Sequence, residues 1–482
     1  MMIDLLVIGG GINGVGIAND AAGRGLSVTL VEQGDLAQAT SSNSSKLIHG
    51  GLRYLEHYEF RLVHEALKER EVLLAKAGHI AWPLRFRLPH QRNGRPAWLV
   101  RIGLFLYDHL GKRVSLPSTR SWKSHDDLLL AHARSGFEYS DLWVDDARLV
   151  TLNAIQAADH GAHIRTRTRF VEARANDDGW VVSISGPNGD ETLHARAVVN
   201  AAGPWVDQVF RGLDGQSPHP ARLVKGSHIV VPKLYDDERA YILPNDDGRV
   251  VFVLPWLDDF SLIGTTDIEI HGDPGAARCS DDERDYLLAA VARFFTNAPS
   301  ADDVVWDYAG VRPLMDDGDG SAQKVTRDYR LILDRSRAPL LSVHGGKLTT
   351  YRTLAEKAVD KLAEVFPAMG PQWTQTATLP GAEGLDVDAL QAELMTLGLD
   401  ARLARRLVRG YGTIARDIVG TGIDSMGEHF GAGLYEAEVR HMCHQEWARS
   451  LDDVLYRRSK MGLFLSESER QRVAQWLAAE VG

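Results

Sequence analysis

Gly9, Gly11 and Gly14 stand at G-x-G-x-x-G spacing directly behind the apolar run Leu5-Leu6-Val7-Ile8, and Glu32 follows Gly14 by 18 residues. Residue types in that order hold a dinucleotide. Gly9 permits a tight turn, Gly11 lets the backbone approach a pyrophosphate, and Gly14 lets a helix pack closely on the preceding strand. The helix N-terminus, with Ile12 and Asn13 in its first turn, then faces the phosphate charge. A carboxylate at Glu32 accepts from both hydroxyls of an adenosine ribose and repels a 2′-phosphate, which disfavours NADP. The motif alone leaves NAD and FAD open.

The elements that must position these residues read as strand, turn, helix, strand. An apolar run without helical period is followed by an alanine-rich segment from Val15 to Arg24 and a second apolar run from Leu26 to Val31. Two later stretches repeat the logic. Ala197 to Trp205 is an apolar strand ending in small residues, Ala201 and Gly203 among them, which suits close approach of backbone to a ligand. Leu340 to Thr350 is an apolar strand, then Gly345-Gly346-Lys347-Leu348-Thr349, then a helix expected from Tyr351 to Val365. The polar run Thr40 to Lys46 closes on Leu47, His49, Gly50 and Gly51, as an ordered loop wrapping a polar ligand would, and a helix is expected from Leu52 to Leu74.

At 482 residues the chain is too long for one core, so two or three domains are expected. A net charge of −11 argues against nucleic acid as a partner. Cys279 and Cys443 give no disulfide framework, which reads as a reduced, cytosolic chain. Asp4 stands where an export signal would carry positive charge, and no stretch of about twenty apolar residues exists, so neither an export signal nor a transmembrane helix is expected. Strand-rich residues 224–270 point to a separate substrate domain, residues 370–384 to a linker, and the remainder to helices, the last opened by a Ser466-x-x-Glu469 capping box. His441-Met442-Cys443-His444 gathers metal-ligand types, but only His441 and His444 share a helix face, and Asp316 to Gly320 lacks the spacing of a calcium loop.

Residues 85–123 depart from the acidic whole. They carry nine Lys or Arg against the single acid Asp108, and enclose the apolar run Trp98 to Tyr107. Basic flanks, aromatic ends and a length short of a span fit a helix lying in a membrane surface and meeting anionic lipid. They fit a buried core helix with a solvated basic flank equally well.

The string from Ser44 to Leu55, the run Gly310-Val311-Arg312-Pro313-Leu314 and the string from Gly345 to Arg352 extend the pattern beyond the glycine motif. Together they resemble the FAD-dependent glycerol-3-phosphate dehydrogenases, respiratory quinone-reducing enzymes within the D-amino-acid-oxidase-like flavoproteins, over essentially the whole chain. Ala201-Ala202-Gly203 stands where the superfamily usually has Ala-Thr-Gly.

The resemblance implies an α/β fold: a Rossmann-like FAD-binding domain from residues 1–78, 141–210 and 307–369, a membrane-facing or substrate insert at 79–140, an antiparallel-sheet substrate domain at 211–306, the linker, and a helical C-terminal domain at 385–482. It implies FAD contacts from the glycine turn, Glu32, Thr40, Ser41, Ser42, Ser45, Lys46, Leu47, His49, Gly50, Gly51, Val171, Ala201, Gly203, Trp205 and Gly345 to Thr349. The implied reaction is oxidation of sn-glycerol 3-phosphate to dihydroxyacetone phosphate by hydride transfer to flavin N5. The electrons go to quinone at the cytoplasmic face of the inner membrane, reached through anionic lipid at residues 85–123; a homodimer is also implied. Arg53, Arg312 and Arg327, with Tyr54, are the phosphate and substrate candidates, because arginine offers forked donors and a permanent charge. His49, ahead of His228, is the candidate base. Lys347 supplies positive charge, and Thr266 and Asp267 shape the pocket. The alternatives are an oxidase passing electrons to oxygen, an amine or amino-acid oxidase on the same scaffold, a soluble NAD-dependent dehydrogenase, and a flavin-binding scaffold without turnover.

Overall fold

A computed structural model describes residues 2–52, 55, 58–91, 95–111, 114–125, 127–213, 221–315 and 329–481. Its first sheet is built on the strand Met2–Ile8, which pairs in parallel with Val28–Val31 on one side and Gly189–Asn200 on the other. Leu340–His344 extends the parallel set beyond Gly189–Asn200, and His163–Arg165 extends it beyond Val28–Val31. The apolar run at the start of the chain is continuous because both faces of this sheet are covered. Leu5 and Val7 pack with Val15, Leu149 and Leu354, from the helices Ile12–Gly23, Asp146–Asp159 and Tyr351–Lys361. Leu6 and Ile8 face the other way, onto Trp180, Val182 and Phe210.

Among the described residues the second sheet has ten strands, and it draws on distant parts of the chain. Ala81–Pro89 and Ser135–Val144 lie beside Ala240–Pro244, Val250–Trp256, Phe260–Gly264 and Ala221–Pro232, so the segments 79–140 and 211–306 form one layer. Two strands run across boundaries drawn from sequence. Ser135–Val144 passes through residue 140, and Trp306–Met315 pairs along its length with Ala221–Val230, from Ala221↔Met315 to Val230↔Trp306.

Three expectations about local structure change. The helix foreseen from Leu52 begins at Phe60 and runs to Lys76. Tyr58 sits at φ +60°, which a helix does not tolerate, and Leu52 and Leu55 pack onto the core of the second sheet instead. The helix from Tyr351 ends at Lys361. The stretch 370–384 is packed: the Trp373 indole donates to the Asp20 carbonyl at 3.2 Å and the Leu379 amide to the Lys76 carbonyl at 2.9 Å.

The C-terminal helices enclose their own apolar core, and the last one starts on the expected box, with the Ser466 amide donating to Glu469 at 2.8 Å. Charge fastens this domain to the rest. Arg148, on the helix Asp146–Asp159, reaches both Glu446 carboxylate oxygens at 2.6 Å, and both side chains are buried. Asp453 accepts from the Arg449 amide and Ser450 and pairs with Arg167 and Arg457. Burial pushes both carboxyls up, but the charges and donors around them prevail and hold both well below the ordinary range. A lowered folded-state pKa gives stability that is full above the unfolded value of about 4 and is lost as pH falls toward the folded one. Thermal melts should therefore show a loss of stability from these two carboxylates that steepens as pH falls below about 4. A melting temperature unchanged at the acid end would contradict this account of the anchoring.

Candidate active site

The glycine turn leaves no room for other residues. Gly9 has φ +114°, and a Cβ on Gly14 would lie 1.9 Å from the Gly9 carbonyl oxygen. The helix that follows has Gly11 at its N-cap, no side-chain cap of its own and no acid in its first turn. The Ile12 amide instead donates to the Ser41 hydroxyl at 3.0 Å. Glu32, at the end of Val28–Val31, accepts the Gly10 amide at 2.7 Å and the Gly34 amide at 2.8 Å, one on each oxygen. Burial raises its pKa, against the lowering by those two donors. Each oxygen keeps a further lone pair for a ribose hydroxyl.

These groups open onto a cavity of about 1070 Å³. The hydroxyl-rich loop lines it through Thr40, Ser41 and Ser45, with Leu47 and His49 behind them. Thr40 donates to the Val311 carbonyl at 2.6 Å, which ties the loop to the second sheet. Ala201, Gly203, Trp205 and the edge residue Val171 form another wall, and Gly345 to Thr349 a third. The third is joined to the first glycine turn by the Asn13 side chain, whose Nδ2 donates to the Gly345 carbonyl at 3.1 Å, and to the His49 backbone amide by the Thr349 hydroxyl at 3.3 Å.

Arg312, Lys347, His49 and His228 all line the same cavity. Arg312 donates to the Thr266 carbonyl at 3.0 Å and pairs with Asp267 at 2.7 Å. Lys347 stands at the position just before the short turn Leu348–Thr350, without a side-chain cap bond to it. His49 meets Phe252 edge-on, ring centroids 6.2 Å apart. His228 is stacked on Tyr308 at 4.8 Å, and its Nε2 lies 2.8 Å from the Ser45 hydroxyl. Burial first, then the Lys46 and Arg312 charges, depresses its pKa well below the ordinary histidine value.

Arg53, Tyr54 and Arg327 lie outside the described residues. Lys46 is not on the wall: its ammonium is buried against Asp146 at 2.9 Å and the Ser42 carbonyl at 3.0 Å, because a lysine deep in the fold must be paired. Ser42, Gly50 and Gly51 also lie off the wall, and the Gly50 amide is taken by the Tyr107 hydroxyl at 2.7 Å. Thr266 is buried, its hydroxyl committed to Glu283 at 2.7 Å, and it contributes its carbonyl to Arg312; Asp267 acts on the cavity through the same arginine. The wall also holds Gly226, which the motifs do not single out. Gly226 and Gly310 face each other in register, and a Cβ on Gly226 would come 2.5 Å from an Arg312 Nη. Paired glycines inside strands were the available signal of close approach. Among the described residues no group of His, Cys, Asp and Glu could hold a metal, and His441 lies instead 3.4 Å from Glu446.

Comparison with known proteins matches residues 4–352 to the FAD dependent oxidoreductase family and residues 372–482 to the C-terminal domain of alpha-glycerophosphate oxidase. A glycerol-3-phosphate dehydrogenase of Pseudomonas aeruginosa is 55% identical, over 99% of this chain and 95% of that protein. A D-erythritol 1-phosphate dehydrogenase of Brucella abortus is 50% identical, over 98% of this chain and 97% of that protein. The crystal structure of a glycerol-3-phosphate dehydrogenase from Bacillus halodurans complexed with FAD superposes with a TM-score of 0.75 at 28% identity, covering 100% of this chain and 94% of that one.

FAD is the cofactor, and the residues present fit it: a glycine cradle that a Cβ would fill, a helix start without an acid, and a carboxylate beyond it. Gly14→Ala should weaken FAD retention by about tenfold, the cost of forcing one carbon into a packed turn. Gly410→Ala, where a Cβ meets nothing within 4 Å, should leave it unchanged. Flavin absorbance per protein after gel filtration reads both.

Proposed function

We propose that this chain, which belongs to the family of FAD-dependent oxidoreductases, oxidises sn-glycerol 3-phosphate to dihydroxyacetone phosphate and passes the electrons to a membrane quinone. The observation that carries the substrate reading is the convergence of Arg312, Lys347 and His49, from three separate segments, on the cavity that also holds the glycine turn. FAD, when bound, supplies the two-electron acceptor for the hydride leaving the carbinol carbon. Arg312, fixed by the Thr266 carbonyl and Asp267, presents a permanent charge in a set orientation to an anionic substrate. Lys347 adds a second cation where an alkoxide develops. His49 takes the hydroxyl proton. His228 is a poor base by comparison, since its depressed pKa disfavours the protonated form and its Nε2 already meets Ser45. Arg53, Tyr54 and Arg327 complete the phosphate site on the strength of the family resemblance.

The quinone part rests on the helix Ala97–Leu110. Leu104 and Tyr107 anchor it in the core of the second sheet, while Trp98, Ile102 and Phe105 share the outward face, Trp98 at 64% and Phe105 at 60% exposure. Arg95, Arg101 and Lys123 are exposed in the same basic segment, and Arg92, Lys112 and Arg113 lie outside the described residues. Arg85 and Arg87 do not belong to that set, because both turn inward onto buried Glu138; Arg120 pairs with the same carboxylate but stays exposed. No helix among the described residues is long and apolar enough to cross a membrane, so the proposed attachment is peripheral, at the cytoplasmic leaflet.

A second substrate reading, D-erythritol 1-phosphate, is favoured by the name of the Brucella relative, and one experiment separates the two. Adding glycerol 3-phosphate to the purified protein without oxygen should bleach the flavin band promptly, and Arg312→Lys should lower the apparent second-order rate of bleaching by about 10- to 100-fold. A flavin that stays oxidised with glycerol 3-phosphate and bleaches with erythritol 1-phosphate transfers the assignment; bleaching by neither removes both. For the membrane part, vesicles with anionic lipid should sediment the protein, vesicles of neutral lipid should hold less of it, and changing Trp98 and Phe105 to Ser should abolish sedimentation. Retention by that double variant would overturn the attachment.

A further inference from the structure

The loop after Glu32 lines the cofactor cavity through Gln33, Gly34, Ala37 and Gln38. Within the loop, the Asp35 amide is taken by the Gln38 side chain at 2.8 Å, and the Ala37 amide donates to the Gly10 carbonyl at 3.1 Å. Ala37 holds φ +60°, a conformation that an alanine keeps only when its surroundings impose it. Asp35, two residues before it, is held from the far end of the chain.

Asp35 is buried, and its carboxylate receives a fork from Arg458, Nη1 to Oδ2 at 2.7 Å and Nη2 to Oδ1 at 2.8 Å, across 423 residues of sequence. Arg457 adds a third donor, its Nε 2.7 Å from Oδ2. Arg457 also pairs with Asp453, Asp453 with Arg167, and the Arg167 amide returns to the Gly34 carbonyl at 2.7 Å. The contacts close a ring that holds Gly34 by its carbonyl and Asp35 by its side chain. A buried ion pair of this kind is a weak source of stability, since an apolar replacement often serves as well, but it fixes orientation through directed donors.

We infer that Arg457 and Arg458 of the C-terminal domain are positioning residues for FAD: through Asp35 they hold the loop after Glu32 in its cofactor-binding conformation. The inference rests on the flavin site and is independent of which substrate the enzyme takes. It gives the C-terminal domain a part in cofactor retention.

The test uses the purified full-length holoenzyme without substrate and reads flavin fluorescence as FAD leaves the protein on dilution. Arg457→Gln, which removes one charge-assisted bond to the buried Asp35 carboxylate, should speed release by about tenfold, and Arg458→Met, which removes the fork of two, by at least as much. Arg406→Gln is the control: it breaks an equally close pair with Glu438, at 2.6 Å within the same domain, and touches nothing in the loop. It should lower the melting temperature and leave release unchanged. Arg457→Lys, which keeps a charge at the less enclosed of the two positions, should recover part of the retention and covers the case in which Arg458→Met does not fold. Unchanged release in the clamp variants, or equal acceleration by Arg406→Gln, would overturn the inference. Because no substrate is present, a failed glycerol 3-phosphate assignment leaves this result intact.

Discussion

Everything in the cofactor half depends on one close approach, that of the helix start at Gly14 to the turn carbonyl at Gly9. No side chain fits there, so the helix Ile12–Gly23 can sit down on the strand Met2–Ile8 with its N-terminus at the cavity. The same turn touches Ala201 at the end of the neighbouring strand, where a Cβ on Gly9 would lie 2.6 Å from the carbonyl. Three strand ends, after Ile8, Asn200 and His344, thereby deliver their loops to one place, as parallel strands do when their connections leave from the same edge. The cavity is a consequence of that shared edge.

The second sheet supplies what the first cannot, a wall with fixed charge. Arg312 is held because the strand Trp306–Met315 pairs along its length with Ala221–Val230, and because Gly226 leaves space beside it. Behind that wall, Lys46 and Asp146 sit in the interior, and the Lys46 ammonium lies 5.2 Å from the Tyr308 ring and lowers the His228 pKa. Buried charges of this kind seldom add net stability, yet each one orients a neighbour. His228 and the Ser44–Lys46 loop inherit their geometry from them.

Charge performs the same service between domains. Arg148 with Glu446, and Asp35 with Arg458, cross the junction as enclosed pairs while the C-terminal helices keep a separate apolar core. A junction held by directed contacts fixes the angle and register of the two bodies more closely than an apolar seam of the same area would. The outward apolar face of Ala97–Leu110 is the counterpart on the solvent side, a surface left without a cover among the described residues.

The residues alone determined what short-range chemistry dictates. The turn from Gly9 to Gly14, Glu32 at the end of the second strand, the Gly345-Gly346 loop and the Ser466–Glu469 box each follow from short local patterns, so their types and spacing were sufficient. The family resemblance, and with it FAD, rested on such strings. What only the tertiary structure decided were the partners of charged and polar groups far apart in sequence. Arg85 and Arg87 belong to Glu138, Lys46 to Asp146, the Thr266 hydroxyl to Glu283, and Asp35 to Arg458. The amphipathic run from Trp98 to Tyr107 carried no sign of which face would turn inward. A residue's type states what partner it needs once buried, but burial is a property of the assembled sheets, and no local pattern carries it.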